Sequence, residues 1–209
     1  MTDIKAVFFD FGGVILQHMD GIDHPAIEAQ FDLPPRTLMH FLYRESRYMD
    51  YQVGACTEAE WRASIRVAAV EHLGREKADA VLAAYEKADR PLNPHMIALV
   101  ERLRAVGYQT GMISNTIPGL MDRLTAEKPE LLPLFDVFVG SGDLKIAKPD
   151  PGIFHHAMEA LAVAPEVSVF ADDNKAYADA ARNIGMHGFY FTGYEQFAAD
   201  LRSIGVDPQ

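Results

Sequence analysis

Five short apolar segments, separated by stretches with helical patterning, constrain the fold of this chain more than any other feature. They span residues 4–9, 109–114, 137–140, 167–171 and 188–191. Strands that alternate with helices are joined by crossover connections, which place neighbouring strands in parallel. We therefore predict an α/β fold with a doubly wound, mainly parallel, Rossmann-like sheet.

A long helical insertion interrupts this alternation between the first two strands. It contains amphipathic segments at residues 25–31, 35–49, 58–73 and 76–88. Thr57 and Glu60 fit a capping box at the start of the third segment. A connection of about 70 residues is far longer than the usual loop. We predict a small all-helical cap domain, residues 17–90, inserted into a core formed by residues 1–16 and 91–209, with core helices at 94–106, 117–127 and 151–161.

Polar side chains lie where the predicted strands end. They are Asp10, Ser114, Asn115, Asp172 and Asp173, together with Lys148 in the loop after the third strand. Pro149 holds the backbone of the preceding Lys148 extended. In open parallel sheets, ligands bind outside the carboxyl ends of the strands. We expect these side chains to converge on that edge.

The charge of this edge predicts a metal site. Asp10, Asp172 and Asp173 with a single lysine leave a net charge of about −2. Carboxylates ~5 Å apart repel by ~3 kcal/mol at an effective dielectric constant near 20. They therefore either take up a proton or recruit a cation. Mg²⁺, which prefers carboxylates, waters and substrate phosphates, suits such a set of ligands.

Four motifs, in this order and spacing, resemble those of the haloacid dehalogenase-like hydrolase superfamily. They are Asp10-Phe11-Gly12-Gly13-Val14, Ser114-Asn115, Lys148-Pro149 and Asp172-Asp173. The helical insertion resembles the cap domain of the family. The resemblance implies Mg²⁺-dependent hydrolysis of a small phosphorylated metabolite, such as a sugar phosphate, by a phosphatase.

The resemblance also implies a role for each motif residue. Asp10 is the nucleophile that forms an aspartyl-phosphate, and Lys148 and Ser114 assist catalysis. The substrate contacts are Ser114, Asn115, Gly12, Gly13 and Lys148. The metal ligands are Asp10, the carbonyl of Gly12, Asp173 and, directly or through a water, Asp172.

Two positions depart from the pattern of the family. Most of its phosphatases carry a second Asp, which acts as general acid and base, where this chain has Gly12. Such a group typically contributes 10²- to 10⁴-fold to the rate, so another proton donor or a good leaving group must replace it. Some members with Gly at this place resemble sugar-phosphate phosphatases. Tyr177 stands where many relatives have a further Asp.

Two alternative functions remain open from the sequence. The dehalogenase branch attacks carbon with the same Asp and needs no metal. Its members usually have Thr at the position of Val14 and Ser and Asn in the fourth motif, so Val14 and the Asp172-Asp173 pair argue against it. A non-catalytic binder of a phosphorylated ligand or of a protein is favoured only by Gly12.

The composition argues against several other classes of protein. Nineteen Lys and Arg against 30 Asp and Glu give a net charge of −11, which argues against a nucleic-acid or anionic-membrane surface. The single Cys56 excludes an intrachain disulfide. Neither a membrane-spanning segment nor a signal-peptide layout is recognisable, so we expect a cytoplasmic protein. The oligomeric state is not specified by the sequence.

Substrate choice is expected to depend on the insertion and on the loop after Asp10. The candidates are His18, Arg44, Arg47, Tyr48, Tyr51 and Trp61. Arg44 and Arg47 share a helix face and either meet a second anionic group or are solvated. Tyr48 and Tyr51 either contact ligand or pack between cap and core, and Trp61 is expected in the core of the cap.

Overall fold

A five-stranded parallel sheet forms the centre of the protein, in the order β3-β2-β1-β4-β5. A computed structural model describes residues 3–207 of the chain. The strands are β1 (Ala6–Phe9), β2 (Gln109–Ser114), β3 (Val137–Gly140), β4 (Ser168–Asp172) and β5 (His187–Tyr190). Each predicted strand is found, with ends shifted by at most two residues, and the α/β fold class is confirmed.

Helices cover both faces of the sheet and bury its central strand. Along β1, Val7 and Phe9 point into one hydrophobic core, whereas Ala6 and Phe8 point into a second. The first core is closed by α6 (Pro94–Ala105), α7 (Leu120–Glu127) and α11 (Tyr194–Ser203), and the second by α9 (Pro151–Ala160) and α10 (Lys175–Asn183). Phe9 lies in register between Met112 and Ala171, so the neighbouring strands end at the same level.

Between β1 and β2 the chain forms a helical cap with a hydrophobic core of its own. We call its helices α1 to α5 the cap; they are α1 (His24–Gln30), α2 (Thr37–Met39), α3 (Tyr48–Gln52), α4 (Glu58–Leu73) and α5 (Arg75–Lys87). Its core includes Phe41, Ile65 and Val81. Leu16 and Leu92 form an antiparallel bridge where the chain leaves for the cap and where it returns. The domain boundaries at residues 17 and 90 stay a prediction.

The amphipathic segment at residues 35–49 is not one continuous helix, so Arg44 and Arg47 do not share a helix face as predicted. The segment is divided into α2, a wide helical turn at His40–Arg44, and α3. The Ser46 hydroxyl donates to the carbonyl of Leu42 and accepts the N–H of Tyr48. Such side-chain hydrogen bonds compete with helix continuation, which explains the break.

The helix predicted at 117–127 begins three residues later, at Leu120. Pro118 precedes its start, and the carboxylate of Asp143 accepts the N–H groups of Gly119 and Leu120 at 2.6 and 3.0 Å. Asp143 belongs to the short helix α8 (Ser141–Leu144). Within residues 3–207, no helix combines the length and apolar character needed to cross a membrane.

Candidate active site

A cavity of about 420 Å³ lies between the carboxyl edge of the sheet and the cap. The residues that line it from the sheet side include Asp10, Gly12, Ser114, Asn115, Lys148, Asp173 and Tyr177. They come from the ends of β1, β2 and β4, from the loop before α9 and, for Tyr177, from α10. The cap contributes Met39, Tyr43, Tyr48, Met49 and Gln52. The structure therefore brings the four sequence motifs to one place.

Lys148 occupies the centre of the charged part of this site. Its Nζ donates to Asp10 Oδ1 at 2.8 Å, to Asp172 Oδ2 at 2.6 Å and to the carbonyl of Ile113 at 3.0 Å. Burial lowers the pKa of Lys148, but Asp10 and Asp172 raise it more, so that the pKa lies above its usual value. The lysine is therefore a fixed positive charge that orients the Asp10 carboxylate.

Three carboxylates converge beside this lysine. Oxygens of Asp10, Asp172 and Asp173 lie within 4.8 Å of one another. Burial, together with the charge of Asp10, raises the pKa of Asp173 to about 6 and also raises that of Asp172. Three carboxylates beside one lysine leave the site with more negative charge than Lys148 compensates. A hard divalent cation with oxygen ligands fits this set of donors.

Two glycines allow the loop after Asp10 to pack tightly. The backbone of Gly12, with φ at −69°, is in a region that any residue can adopt. A Cβ atom on Gly12, however, would lie 1.7 Å from the carbonyl oxygen of Met19. Gly13 has φ at +68°, and a Cβ there would lie 2.2 Å from Asp173 Oδ2. The carbonyl of Met19 therefore occupies the space into which a side chain at position 12 would extend. The N–H of Gly13 donates to the carbonyl of His18 at 2.8 Å.

The side chain of Asn115 binds the backbone of Lys148 at two points. Its Nδ2 donates to the carbonyl of Lys148 at 2.9 Å, and its Oδ1 accepts the N–H of Lys148 at 2.7 Å. The same Nδ2 donates to the Tyr177 hydroxyl at 3.3 Å. Asn115 thereby fixes the position from which Lys148 reaches Asp10. Tyr177 belongs to this hydrogen-bond network.

Of the specificity candidates, the structure places Tyr48 at the cavity. Its hydroxyl donates to the carbonyl of Asn115 at 3.4 Å, which connects the cap to the sheet edge. Arg47 pairs with Asp50 and Glu60 on the surface. The cavity lining does not include the other candidates: His18, Arg44, Tyr51 and Trp61. Tyr51 instead stacks on Trp61, with ring centroids 5.0 Å apart.

Asp20 is a residue of the cavity that the sequence analysis missed. Its Oδ2 accepts the hydroxyls of Tyr43 and Tyr85 and contacts His24 Nε2 at 2.9 Å. Burial acts to raise the pKa of Asp20, but the hydrogen bonds and charge of His24 and the tyrosine hydroxyls outweigh it, and the pKa falls to about 2. The partners lie up to 65 residues away in the chain, so only its position in the loop after β1 could have suggested it.

Comparison with known proteins identifies relatives of this chain. A family profile described as haloacid dehalogenase-like hydrolase matches residues 4–185. A phosphoserine phosphatase from Thermus thermophilus is 33% identical over 100 residues, which cover 48% of this chain and 39% of that protein. Acyl-CoA dehydrogenase family member 10 from Mus musculus is 26% identical over 201 residues, 88% of this chain and 17% of that protein. The chain thus spans less than half the length of these two relatives.

Solved structures share the fold. A HAD family enzyme from Bacteroides thetaiotaomicron is 20% identical, with a TM-score of 0.69 over 95% of this chain and 98% of that one. The same enzyme in complex with magnesium and inorganic phosphate gives a TM-score of 0.64 at 22% identity, over 89% and 93% of the two chains. An L-2-haloacid dehalogenase gives 0.63 at 20% identity, over 88% and 85%. With the family profile covering most of its length, this chain belongs to the haloacid dehalogenase-like hydrolases.

Proposed function

We propose that this hydrolase is a Mg²⁺-dependent phosphatase that acts on a small phosphorylated metabolite through an aspartyl-phosphate on Asp10. The observation that carries the proposal is the convergence of Asp10, Lys148 and Asp173 at the wall of one cavity, with the buried Asp172 directly beside them. A nucleophile beside a fixed cation and a cluster of oxygen ligands is the arrangement that phosphoryl transfer needs.

The carboxylates of Asp10, Asp172 and Asp173, with the carbonyl of Gly12, are the proposed Mg²⁺ ligands. The excess negative charge at these carboxylates supports a divalent cation. Bound there, the ion would neutralise that charge and polarise the phosphoryl group. The similar Bacteroides enzyme, which forms a complex with magnesium and inorganic phosphate, is consistent with this proposal.

In the proposed first step, a carboxylate oxygen of Asp10 attacks phosphorus, and the bond between phosphorus and the ester oxygen breaks. Lys148 keeps the Asp10 carboxylate oriented and compensates the charge that develops on the phosphoryl oxygens. The Ser114 hydroxyl and the backbone of Gly12 and Asn115 hold those oxygens, whereas the N–H of Gly13, a predicted substrate contact, is engaged by the carbonyl of His18. The departing alcohol takes its proton from water or from a group other than residue 12.

In the second step, water attacks the phosphorus of the aspartyl-phosphate. The bond between phosphorus and the Asp10 oxygen breaks, inorganic phosphate leaves and the carboxylate is restored. Closure of the cap over the cavity would control when water reaches the intermediate.

Asp10→Asn tests the nucleophile. We expect this variant to lose turnover of p-nitrophenyl phosphate, because an amide does not attack phosphorus as a carboxylate does. Circular dichroism and thermal melting should show a folded protein. Phosphatase activity that survives in the folded variant would refute the assignment of Asp10.

The structural likeness to a haloacid dehalogenase gives a second candidate function, carbon–halogen cleavage. Removal of Mg²⁺ by a chelator distinguishes it from phosphatase activity. We expect EDTA to abolish aryl phosphate hydrolysis and Mg²⁺ to restore it. We also expect no halide release from 2-chloropropionate. Halide release that continues in EDTA would instead establish the dehalogenase reaction, and absence of both reactions would favour a non-catalytic binder.

A further inference from the structure

The cap side of the cavity, where the alcohol part of a phosphate ester would lie, has an uncommon composition. It is formed mainly by Asp20, Met39, Tyr43, Tyr48 and Met49, and Tyr190 at the end of β5 adjoins them in the cavity lining. The cationic residues that line the cavity, within the part of the chain that the structure describes, are Lys148 and Lys175. Lys148 is engaged by Asp10 and Asp172, and Lys175 donates to Asp179 at 2.7 Å. A second anionic group on the substrate would therefore meet a carboxylate there and no cap cation.

Aromatic rings and a carboxylate meet on this side. The rings of Tyr43 and Tyr48 are nearly perpendicular, with centroids 4.8 Å apart, and Tyr190 lines the same cavity. The Tyr43 hydroxyl donates to Asp20 Oδ2, so the carboxylate lies at the end of this ring pair. Asp20 Oδ1 accepts one backbone N–H, from Ile22 at 3.1 Å, and retains capacity for a further partner.

This combination matches one class of ligand. Alkylammonium groups bind to the faces of aromatic rings and are stabilised by a nearby carboxylate. Methionine thioethers, which Met39 and Met49 supply, are polarisable and adapt to the methyl or methylene groups of such a ligand. Asp20 Oδ2 is engaged by His24 and by the hydroxyls of Tyr43 and Tyr85, so Oδ1 is the oxygen with capacity for a cationic ligand.

We propose that the substrate is the phosphate monoester of an amino alcohol, whose ammonium or quaternary ammonium group is bound by Asp20 and by the rings of Tyr43 and Tyr48. This inference rests on the proposed phosphatase function. In this arrangement, the phosphoryl group faces Asp10 while the cationic end of the leaving group faces the cap. Asp20, Tyr43 and Tyr48 are then the residues that determine specificity.

Two esters of the same shape test the proposal. Choline phosphate carries a trimethylammonium group, and 3,3-dimethylbutyl phosphate carries an uncharged tert-butyl group in its place. With saturating Mg²⁺, we expect kcat/KM to be higher for choline phosphate by about tenfold or more. Ethanolamine phosphate measures whether a primary ammonium suffices. Equal kcat/KM for the two isosteric esters would overturn the proposal.

Asp20→Asn removes the charge and keeps the shape of the side chain. We expect the ratio of kcat/KM between the charged and neutral esters to fall towards one. The control Arg44→Gln changes an exposed charge of the cap outside the cavity and should keep the wild-type ratio. A wild-type ratio in Asp20→Asn would contradict the role of this carboxylate.

A second pair of variants addresses the rings, because Asp20 also holds His24, Tyr43 and Tyr85 together and its replacement changes more than the charge of the cavity. Tyr48→Phe keeps the ring and loses the hydroxyl, whereas Tyr48→Leu loses the ring. We expect the ratio to be kept in the first and reduced about threefold or more in the second. If Tyr48→Phe and Tyr48→Leu gave the same kcat/KM ratio, the Tyr48 ring would have no part in recognising the ammonium group.

Hydrolysis of p-nitrophenyl phosphate distinguishes failure of the proposed phosphatase activity from failure of the proposed substrate class. If this ester is hydrolysed while the isosteric pair shows no preference, the leaving-group inference alone fails. If none of the esters is hydrolysed, the phosphatase proposal fails, and the inference about its substrate fails with it.

Discussion

At the scale of single residues, Lys148 is fixed at both ends. Its backbone is held by the Asn115 amide, and its ammonium is held by Asp10, Asp172 and the carbonyl of Ile113. A long, flexible side chain is thereby restricted to one conformation before any ligand binds. Such preorganisation lowers the reorganisation that a reaction at Asp10 would require.

Asn115→Ala should weaken catalysis through Lys148. We expect kcat to fall by about 10²-fold, since a displacement of about 1 Å at a reacting group has effects of that size. The KM should change less. Steady-state kinetics with an aryl phosphate measure both values. Asn93→Ala, which removes a helix cap outside the site, is the control, and an unchanged kcat in Asn115→Ala would contradict the positioning role.

Gly12→Ala should destabilise the protein, because its Cβ would overlap the carbonyl oxygen of Met19. We expect the free energy of unfolding to fall by about 1–3 kcal/mol, and kcat to fall as the loop that carries Asp20 is displaced. The Cβ atom of Gly12→Asp would overlap the same carbonyl oxygen. We therefore expect this variant to lose activity, although it introduces a potential proton donor. Urea denaturation and kinetics measure these effects.

Gly152→Ala is the matched control, since a Cβ there would meet only side-chain atoms, at 3.1 Å and beyond. Gly12→Ala with wild-type stability and kcat would show that the loop moves freely.

The proximity of Asp10, Lys148 and Asp173 could be predicted from the sequence, because strand ends in a parallel sheet share one edge. Asp20 and Tyr43 could not be predicted as neighbours. Their contact depends on how the cap packs on the loop after β1, and no local pattern encodes that packing. The sequence placed Asn115 among the substrate contacts but did not indicate the hydrogen bonds of its side chain to the backbone of Lys148.

At the scale of elements, a helix start can be predicted from the sequence when its N-capping residue is local, and cannot be when that residue comes from a distant element. Helix α4 begins with a capping box, in which Thr57 and Glu60 bind each other's backbone N–H groups, and its predicted bounds agree with the structure. Helix α2 is capped by Glu28, whose carboxylate accepts the N–H groups of Arg36 and Leu38. A capping residue supplied by a distant element leaves no local pattern, which explains why the start of α2 was not predicted.

Thr57→Ala should shorten or loosen the first turn of α4. We expect a loss of about 1 kcal/mol in the free energy of unfolding, which corresponds to about 2–4 °C in Tm for a chain of this size. Turnover at 25 °C should be unchanged. Thr125→Ala, on an exposed face of α7, is the control, and equal melting temperatures for the two variants would argue against the capping box.

At the scale of the whole molecule, the cavity concentrates negative charge in a protein that is already acidic. The chain carries a net charge of −11, and the buried carboxylates at the sheet edge add local repulsion. Burial raises the pKa of Asp173 from 3.8 to about 6. Ionisation of Asp173 therefore reduces the stability of the metal-free protein as the pH rises from about 4 to about 6. A bound cation would remove this repulsion.

Stabilisation by Mg²⁺ should accordingly depend on pH. Because Mg²⁺ competes with the proton for Asp173, we expect the rise in Tm on adding Mg²⁺ to be larger at pH 7.5 than at pH 5.5. Differential scanning calorimetry at both pH values measures the effect. Asp173→Asn should reduce the pH dependence, and an equal rise at both pH values in the wild type would place the ion elsewhere.

The bridge between Leu16 and Leu92 has a consequence for how such a protein diversifies. The outgoing and returning chains lie side by side, so the helical excursion between them has a closed base of fixed width. An excursion of another length or sequence could be grafted onto that base without shifting the register of any strand. Selectivity can then evolve, or be engineered, by exchanging one contiguous stretch of polypeptide, while the reactive carboxylates keep their coordinates.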